Sequence, residues 1–75
     1  MPRFSVARYR DVVKVARKLS FYFYRMGKGD HEVWGRSTDG RVVVIPHSPK
    51  EIKRKTLKSI LKDFGITPEE FLRLK

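Results

Sequence analysis

Acid–base chemistry in this sequence can come from two histidines, and one of them stands in a distinctive setting. His31 follows the tight Gly27-Lys-Gly29 turn and precedes an apolar stretch centred on Val33 and Trp34. An imidazole can accept or donate a proton near neutral pH, so a histidine held beside a strand is a candidate general acid or base. The same pattern also describes a hairpin whose exposed histidine has no catalytic role. His47 is more typical of a strand-end imidazole bonded to the backbone.

The composition restricts the partners and the chemistry that such a histidine could serve. Lys and Arg number 18 against 8 Asp and Glu, giving a formal net charge of +10 that favours a polyanionic partner. The absence of cysteine excludes thiolate chemistry, and two histidines without cysteine predict no metal site and no cofactor. No apolar run is long enough to cross a bilayer and no secretory signal follows Met1, so we expect a cytoplasmic protein.

The chain around His31 predicts one helix and three antiparallel strands. Apolar residues spaced three and four apart predict an amphipathic helix from Tyr9 to Leu19. Its predicted apolar face consists of Tyr9, Val12, Val13, Ala16 and Leu19. Its outer face carries Arg10, Lys14, Arg17 and Lys18. Extended patterns predict strands at residues 21–25, 30–37 and 41–45. Asp39-Gly40 predicts a two-residue type I′ turn between the last two strands, and Pro46 should end the third.

Four consecutive aromatic residues in the first strand allow two interpretations. In a strand Phe21 and Phe23 would share one face, with Tyr22 and Tyr24 on the other. We favour phenylalanines in the core and tyrosines in solvent, because a small domain needs aromatic area for its core. The alternative is a platform on which nucleic-acid bases stack.

Two helices are predicted after a basic connection that runs from His47 to Lys55. Thr56 is the predicted N-cap of a helix that ends at Gly65, and Thr67-Pro-Glu-Glu70 predicts the start of a short final helix. The first of these helices should turn Leu57, Ile60, Leu61 and Phe64 towards the core. The order predicts a single α+β domain over residues 1–75, in which helices cover one face of a three-stranded antiparallel sheet, as in double-stranded RNA-binding domains.

Basic residues cluster where domains of this topology bind phosphates, at the start of the helix after the sheet. The candidate RNA-binding residues are Lys28, Gly29, Lys53, Arg54, Lys55, Lys58 and Lys62.

Three segments taken together resemble the HicA family of toxins, small mRNA-cleaving proteins that are partnered by HicB antitoxins. They are Lys28-Gly-Asp-His-Glu-Val-Trp34, Thr38-Asp-Gly-Arg-Val-Val-Val-Ile-Pro-His47 and Lys55-Thr-Leu-Lys-Ser-Ile-Leu-Lys-Asp-Phe-Gly-Ile66. The resemblance covers about residues 10 to 74, and it includes the order and spacing of all three segments.

The resemblance implies a catalytic role for His31, which stands where the family has the histidine implicated in RNA cleavage. In the family pattern Gly-Ser-His precedes an apolar strand, whereas here Asp30 replaces the serine and Glu32 follows the histidine, where many members have a second histidine. Two carboxylates beside the imidazole are expected to raise its proton affinity and to repel phosphate. Asp30 and His47 are candidate auxiliary residues.

The predicted function is therefore that of a toxin that cuts mRNA, or other single-stranded RNA, as a metal-independent endoribonuclease. Its expected protein partner is a HicB-like acidic antitoxin. One imidazole cannot be both acid and base in a single step, so water, Lys28 or His47 must make the second proton transfer.

Other functions remain open for a chain of this charge. It could be a non-catalytic RNA-binding module of the same fold, or a protein whose positive surface docks on an acidic protein. Membrane binding is least favoured, because the basic faces lack an exposed apolar stripe.

Overall fold

A computed structural model describes residues 7–47 and 51–75 of the chain, which form three helices and one antiparallel sheet. The elements are α1 (Tyr9–Lys18), β1 (Tyr22–Met26), β2 (His31–Arg36), β3 (Arg41–Pro46), α2 (Arg54–Phe64) and α3 (Pro68–Leu74). The strands lie in the order β1-β2-β3. This arrangement confirms the predicted α+β class. Part of the predicted basic connection, residues 48–50, lies outside the described residues.

The core forms between the sheet and the helices, from apolar residues of every element except β1. Its buried members in the helices are Val12, Val15, Ala16, Leu57, Ile60, Leu61, Phe64 and Phe71. The predicted inner face of α2 is confirmed, whereas the predicted face of α1 omitted Val15, which is fully buried. The sheet contributes Trp34, Val43 and Ile45, and α1 and α2 pack against β3.

Strand pleating divides the sheet side chains between two faces. Glu32 and Trp34 of β2 point towards the helices, as do Val43 and Ile45 of β3, and all four are buried. The opposite face, which we call the open face, consists of Tyr22, Tyr24, Arg25, His31, Val33, Gly35, Val42 and Val44. Tyr22, Tyr24, Val42 and Val44 are exposed there, so this face is apolar in large part.

The prediction that both phenylalanines enter the core was half right. Phe21 is fully buried just before β1, and its ring packs 5.3 Å from that of Phe64. Phe23 is 50% exposed although it faces the helix side opposite Trp34. The helices pack against β3, at the other edge of the sheet, so they leave β1 uncovered. A bulge at Tyr24 shifts the register of β1 as well.

The turn between β2 and β3 is longer than the predicted two-residue loop. β2 ends at Arg36 and β3 begins at Arg41, and the Gly40 N–H donates to the Arg36 carbonyl over 2.9 Å. Only Gly40 has a positive φ, of 71°, whereas a type I′ turn needs one at Asp39 as well. The Asp39 carboxylate instead accepts two hydrogen bonds from the Arg36 guanidinium, which lower its pKa to about 2.

The helix α2 starts three residues earlier than the predicted Thr56 cap, because its N-cap is Lys53. The preceding residue, Ile52, is fixed against the start of α1 by a β-bridge to Ala7 and a backbone hydrogen bond of 2.8 Å. The backbone can therefore enter the helix directly after Ile52, and Thr56 becomes an exposed residue of the first turn. The predicted end of α2 and the Thr67 cap of α3 are confirmed, the latter by a reciprocal pair of hydrogen bonds with Glu70.

Two helices end on residues in the left-handed conformation, and only one of these residues is a glycine. Gly65 follows α2 with φ 78°, while Ser20 follows α1 with φ 71°. A side chain in this conformation costs about 1–2 kcal/mol, so Ser20→Gly should stabilise the fold and Gly65→Ala should destabilise it, each by about 1 kcal/mol. Chemical denaturation of both variants measures the two shifts. Shifts of the same sign would contradict this account.

Candidate functional site at one end of the sheet

Four parts of the chain meet at the end of the sheet where β2 begins. They are the turn from Gly27 to Asp30, the end of β3 at Pro46, the start of α1 and the start of α2. His31 pairs with Pro46 across the sheet, and the His47 N–H donates to the Asp30 carbonyl over 2.9 Å. The bridge between Ala7 and Ile52 brings the two helix starts to the same end.

The β1–β2 turn holds the backbone of His31 on both sides. The His31 N–H donates to the Lys28 carbonyl over 3.2 Å, and the His31 carbonyl accepts from Gly27 over 2.7 Å. A Cβ at Gly27 would lie 3.3 Å from both the His31 carbonyl oxygen and Val33 Cγ2, so this approach favours glycine. Gly29 supplies the positive φ of 64° that the turn needs. His31 thus presents an exposed imidazole at the end of the open face.

Glu32 does not accompany His31, contrary to the expectation of two carboxylates beside the imidazole. Successive residues of a strand face opposite sides, so Glu32 points towards the helices while His31 points away. Glu32 is only 8% exposed, and its carboxylate accepts hydrogen bonds from the Tyr9 hydroxyl over 2.7 and 2.8 Å. The Trp34 indole N–H donates to it over 2.9 Å. Asp30 is exposed in the turn beside His31.

His47 lies on the helix side of the sheet end and contacts this buried carboxylate. Its Nδ1 is 3.7 Å from Glu32 Oε2, and its ring lies 4.5 Å from the Tyr9 ring, centroid to centroid. The side chain is still 60% exposed. The backbone hydrogen bond of His47 to Asp30 comes from its main-chain N–H, whereas the prediction concerned its imidazole, which contacts Glu32 and Tyr9. His31 pairs with Pro46, and His47 is the next residue along that strand, so the two histidines are neighbours at the end of the sheet. They face opposite sides of it.

The sequence interpretation missed Tyr9 and Trp34 as the residues that hold Glu32. Tyr9 was assigned to the apolar face of α1, and nothing in the helix period indicates that its hydroxyl reaches β2. One signal was available, since Glu32 and Trp34 are two residues apart and must share a strand face. A carboxylate on the face of a buried tryptophan needs donors, and the indole is the nearest.

The predicted RNA-binding residues separate into two groups along α2. Lys53, Arg54 and Lys55 form its N-cap and first turn, at the end of the molecule that carries His31, and Lys58 follows one turn later. Lys62 lies in the last turn, next to Asp63, whose carbonyl accepts a hydrogen bond from Arg41 at the opposite end of β3. Lys28 and Gly29 lie in the turn directly before His31.

The start of α2 is unusual for a helix because three consecutive residues, Lys53, Arg54 and Lys55, are basic. Lys53 makes no side-chain capping hydrogen bond, and the first turn contains no acidic residue. The N-terminus of a helix carries partial positive charge and free N–H groups, so adjacent cations destabilise it and an anion stabilises it. The basic residues here therefore add positive charge to an end of the helix that is already positive.

Two of the four basic residues on the outer face of α1 make structural contacts. The Lys18 ammonium donates to the Leu74 carbonyl over 2.7 Å, and the Arg17 guanidinium lies 5.8 Å from the centre of the Trp34 ring. In residues 7–47 and 51–75 no three His, Asp or Glu side chains come together as a metal site, and no helix there could span a membrane.

The comparison with known families connects this end of the sheet to a biological role. The family described as the HicA toxin of bacterial toxin–antitoxin systems matches residues 9–66, which include α1, the sheet, α2 and the residues gathered around His31. The chain belongs to the HicA toxin family. No curated protein matches it. Membership implies a cognate antitoxin, so the surface of this HicA toxin has to serve a protein partner as well as its target.

The hydrogen bond from Tyr9 to Glu32 predicts a specific alkaline titration in this HicA toxin. Burial, with the adjacent Glu32 carboxylate, raises the pKa of Tyr9 to about 12 from its ordinary value of 10.0. A raised pKa means that the neutral phenol stabilises the fold fully below pH 10.0, and that this contribution disappears as pH rises through about 12. Tyr9→Phe should abolish the tyrosinate absorbance change near that pH.

Denaturant unfolding of the wild type and of Tyr9→Phe across this pH range provides the second measurement. The difference in unfolding free energy between the two should diminish as pH rises. An absorbance change near pH 12 that persists in Tyr9→Phe would contradict the assignment.

Proposed function

We propose that this HicA toxin is a metal-independent endoribonuclease that cuts mRNA, or other single-stranded RNA, with His31 as the catalytic residue. The observation that carries this proposal is the run of three basic residues at the start of α2, at the same end of the molecule as His31. Neither feature stabilises the fold. Together they supply what cleavage of a phosphodiester needs, namely cations for the phosphate and a group that exchanges a proton.

The reaction that suits these residues is attack by a ribose 2′-hydroxyl on the adjacent phosphate. His31 takes the hydroxyl proton or protonates the leaving oxygen, because an exposed imidazole can do either near neutral pH. Lys28, in the turn that holds the His31 backbone, and the basic residues of α2 stabilise the charge that develops on the phosphate. Water, Lys28 or His47 completes the second proton transfer.

The placement of Glu32 favours this proposal over a non-catalytic RNA-binding module. That alternative was motivated by two carboxylates beside His31, which would repel phosphate. Glu32 is buried on the opposite face and engaged by Tyr9 and Trp34, which leaves Asp30 as the one acidic neighbour of His31 in the turn. A single exposed carboxylate among several cations does not prevent phosphate binding.

His31→Ala tests the catalytic role directly. His31 is exposed and its backbone hydrogen bonds do not involve the side chain, so the variant should fold. Cleavage of a single-stranded RNA without added metal should fall by roughly 10²- to 10⁴-fold, while RNA affinity changes little. His47→Ala, assayed in parallel, reports whether the other histidine makes the second transfer.

The outcomes of this assay separate the two functions. Cleavage by the wild type and His31→Ala at equal rates would remove His31 from the mechanism. RNA binding without cleavage by either protein, in the presence or absence of metal ions, would identify a binding module.

The basic helix start provides a second test, because it predicts opposite effects on stability and on binding. Lys53→Ser gives α2 a side-chain cap and removes one cation from its N-terminus, so it should stabilise the fold by about 1 kcal/mol. The same change should weaken RNA binding and reduce the salt dependence of the affinity by about 0.7 in log–log slope.

Lys62→Ser is the matched control, since it removes the same charge from the other end of α2. It should have little effect on the salt dependence and should not stabilise the fold. Equal loss of RNA affinity in both variants would mean that the bound RNA extends along the whole helix.

A further inference from the structure

The most exposed apolar surface of this protein lies on and beside β1, away from the basic helix start. Every residue of β1 is exposed. Tyr22 is 66%, Tyr24 73%, Phe23 50% and Met26 50% exposed. In residues 7–47 and 51–75 no strand pairs with the outer edge of β1, so its backbone groups are available to another chain. Contiguous exposed apolar surface of this kind usually marks an interaction site.

A groove crosses the open face next to this strand, and Gly35 forms its floor. Gly35 lies between Tyr22 on β1 and Val42 on β3 in the sheet register, so the two side chains stand on either side of a position that has none. Tyr24 and Val33 also line the groove. A Cβ at Gly35 would meet nothing nearer than the Arg41 carbonyl oxygen, at 3.8 Å, and the φ of Gly35 does not require glycine. An apolar side chain from a partner fits this space.

The charges indicate which partner docks here. The open face carries Arg25 and no carboxylate, and the chain as a whole has a net charge of +10. A second copy of the chain would therefore be repelled, whereas an acidic protein would be attracted. Tyr22 and Tyr24 offer rings for base stacking, but RNA is less well suited to this surface for three reasons. The basic start of α2 lies elsewhere, Arg36 and Arg41 beside the groove are paired with Asp39, and the free edge of β1 suits a protein strand.

We propose that β1 and the groove over Gly35 form the docking surface for an acidic protein partner, the cognate antitoxin. An apolar side chain of the antitoxin enters the groove, and a strand of the antitoxin pairs with the free edge of β1. His31 lies on the same face as Gly35 and about 13 Å from it along β2. A partner of ordinary size seated in the groove also covers His31, so binding of the antitoxin and access of RNA exclude each other.

Gly35→Val tests the docking surface because it puts an apolar side chain into the groove at a position where a Cβ has ordinary van der Waals space. Val42→Glu is the second variant, in which an exposed residue of the groove gains a charge that repels an acidic partner. Ser59→Glu adds the same charge to an exposed position of α2 and serves as the control. The probe is the purified cognate antitoxin, and its affinity is measured by calorimetry at fixed salt.

We expect Gly35→Val and Val42→Glu to weaken antitoxin binding by roughly 10-fold or more, as substitutions at the centre of an interface do. Ser59→Glu should bind as the wild type does. RNA affinity should change little in Gly35→Val, and thermal unfolding shows whether each variant is folded. The binding assay does not depend on cleavage, so it tests docking even if the protein is not a ribonuclease. Only the inference that a docked antitoxin blocks RNA at His31 rests on the proposed function.

Three results would overturn the proposal. If both groove variants bind the antitoxin as tightly as the wild-type chain does, the interface lies elsewhere. Loss of RNA affinity with antitoxin affinity retained would make the groove part of the RNA site. A wild-type dimer that Gly35→Val dissociates, seen by sedimentation, would assign the face to a second copy of the chain.

Discussion

The buried carboxylate of Glu32 is the interaction on which the arrangement of this protein depends. It joins α1 to the sheet through Tyr9, it is held within β2 by Trp34, and it faces His47 at the end of β3. A carboxylate that is 8% exposed is tolerated only when donors replace the water that it loses. The network also fixes the strand register, because a slip of one residue would bring Glu32 to the open face and His31 among the helices.

That register gives the two faces of the sheet different partners. The core covers the helix side of β2 and β3, whereas the open face and β1 are left uncovered. Three consecutive cations stand at the start of α2, and exposed apolar side chains concentrate on β1. A chain of this size has a small core and little stability to spare. It nevertheless has a basic helix start without a side-chain cap and an uncovered strand, and neither adds to the stability of the fold.

The sequence predicted the order of the elements well because apolar periodicity is a local signal. The inner face of α2 and the capping box at Thr67 were predicted for this reason. The start of α2 was not, since the bridge between Ala7 and Ile52 joins residues that are distant in sequence. The exposure of Phe23 depends on which strand the helices cover. The alternation of residues within one strand carries no information about that. His31 could be selected from family resemblance, and strand alternation already implies that Glu32 faces the other side. The hydrogen bond from Tyr9 could not be predicted, because it joins α1 to β2 across residues that are distant in sequence.

The bridge between Ala7 and Ile52 has a further consequence during synthesis of the chain. All three strands are complete once Pro46 has been added, whereas the end of the molecule that gathers both helix starts cannot close until Ile52 and the residues after it exist. The hairpins have only short loops to close. The bridge closes a loop that contains α1 and all three strands, so the entropy cost of closing it is larger. On a translating ribosome, the segments that form the open face are therefore complete before the basic end can assemble. The order of synthesis thus matches the order of loop closure, with the local hairpins available first and the bridge that joins the two helix starts later.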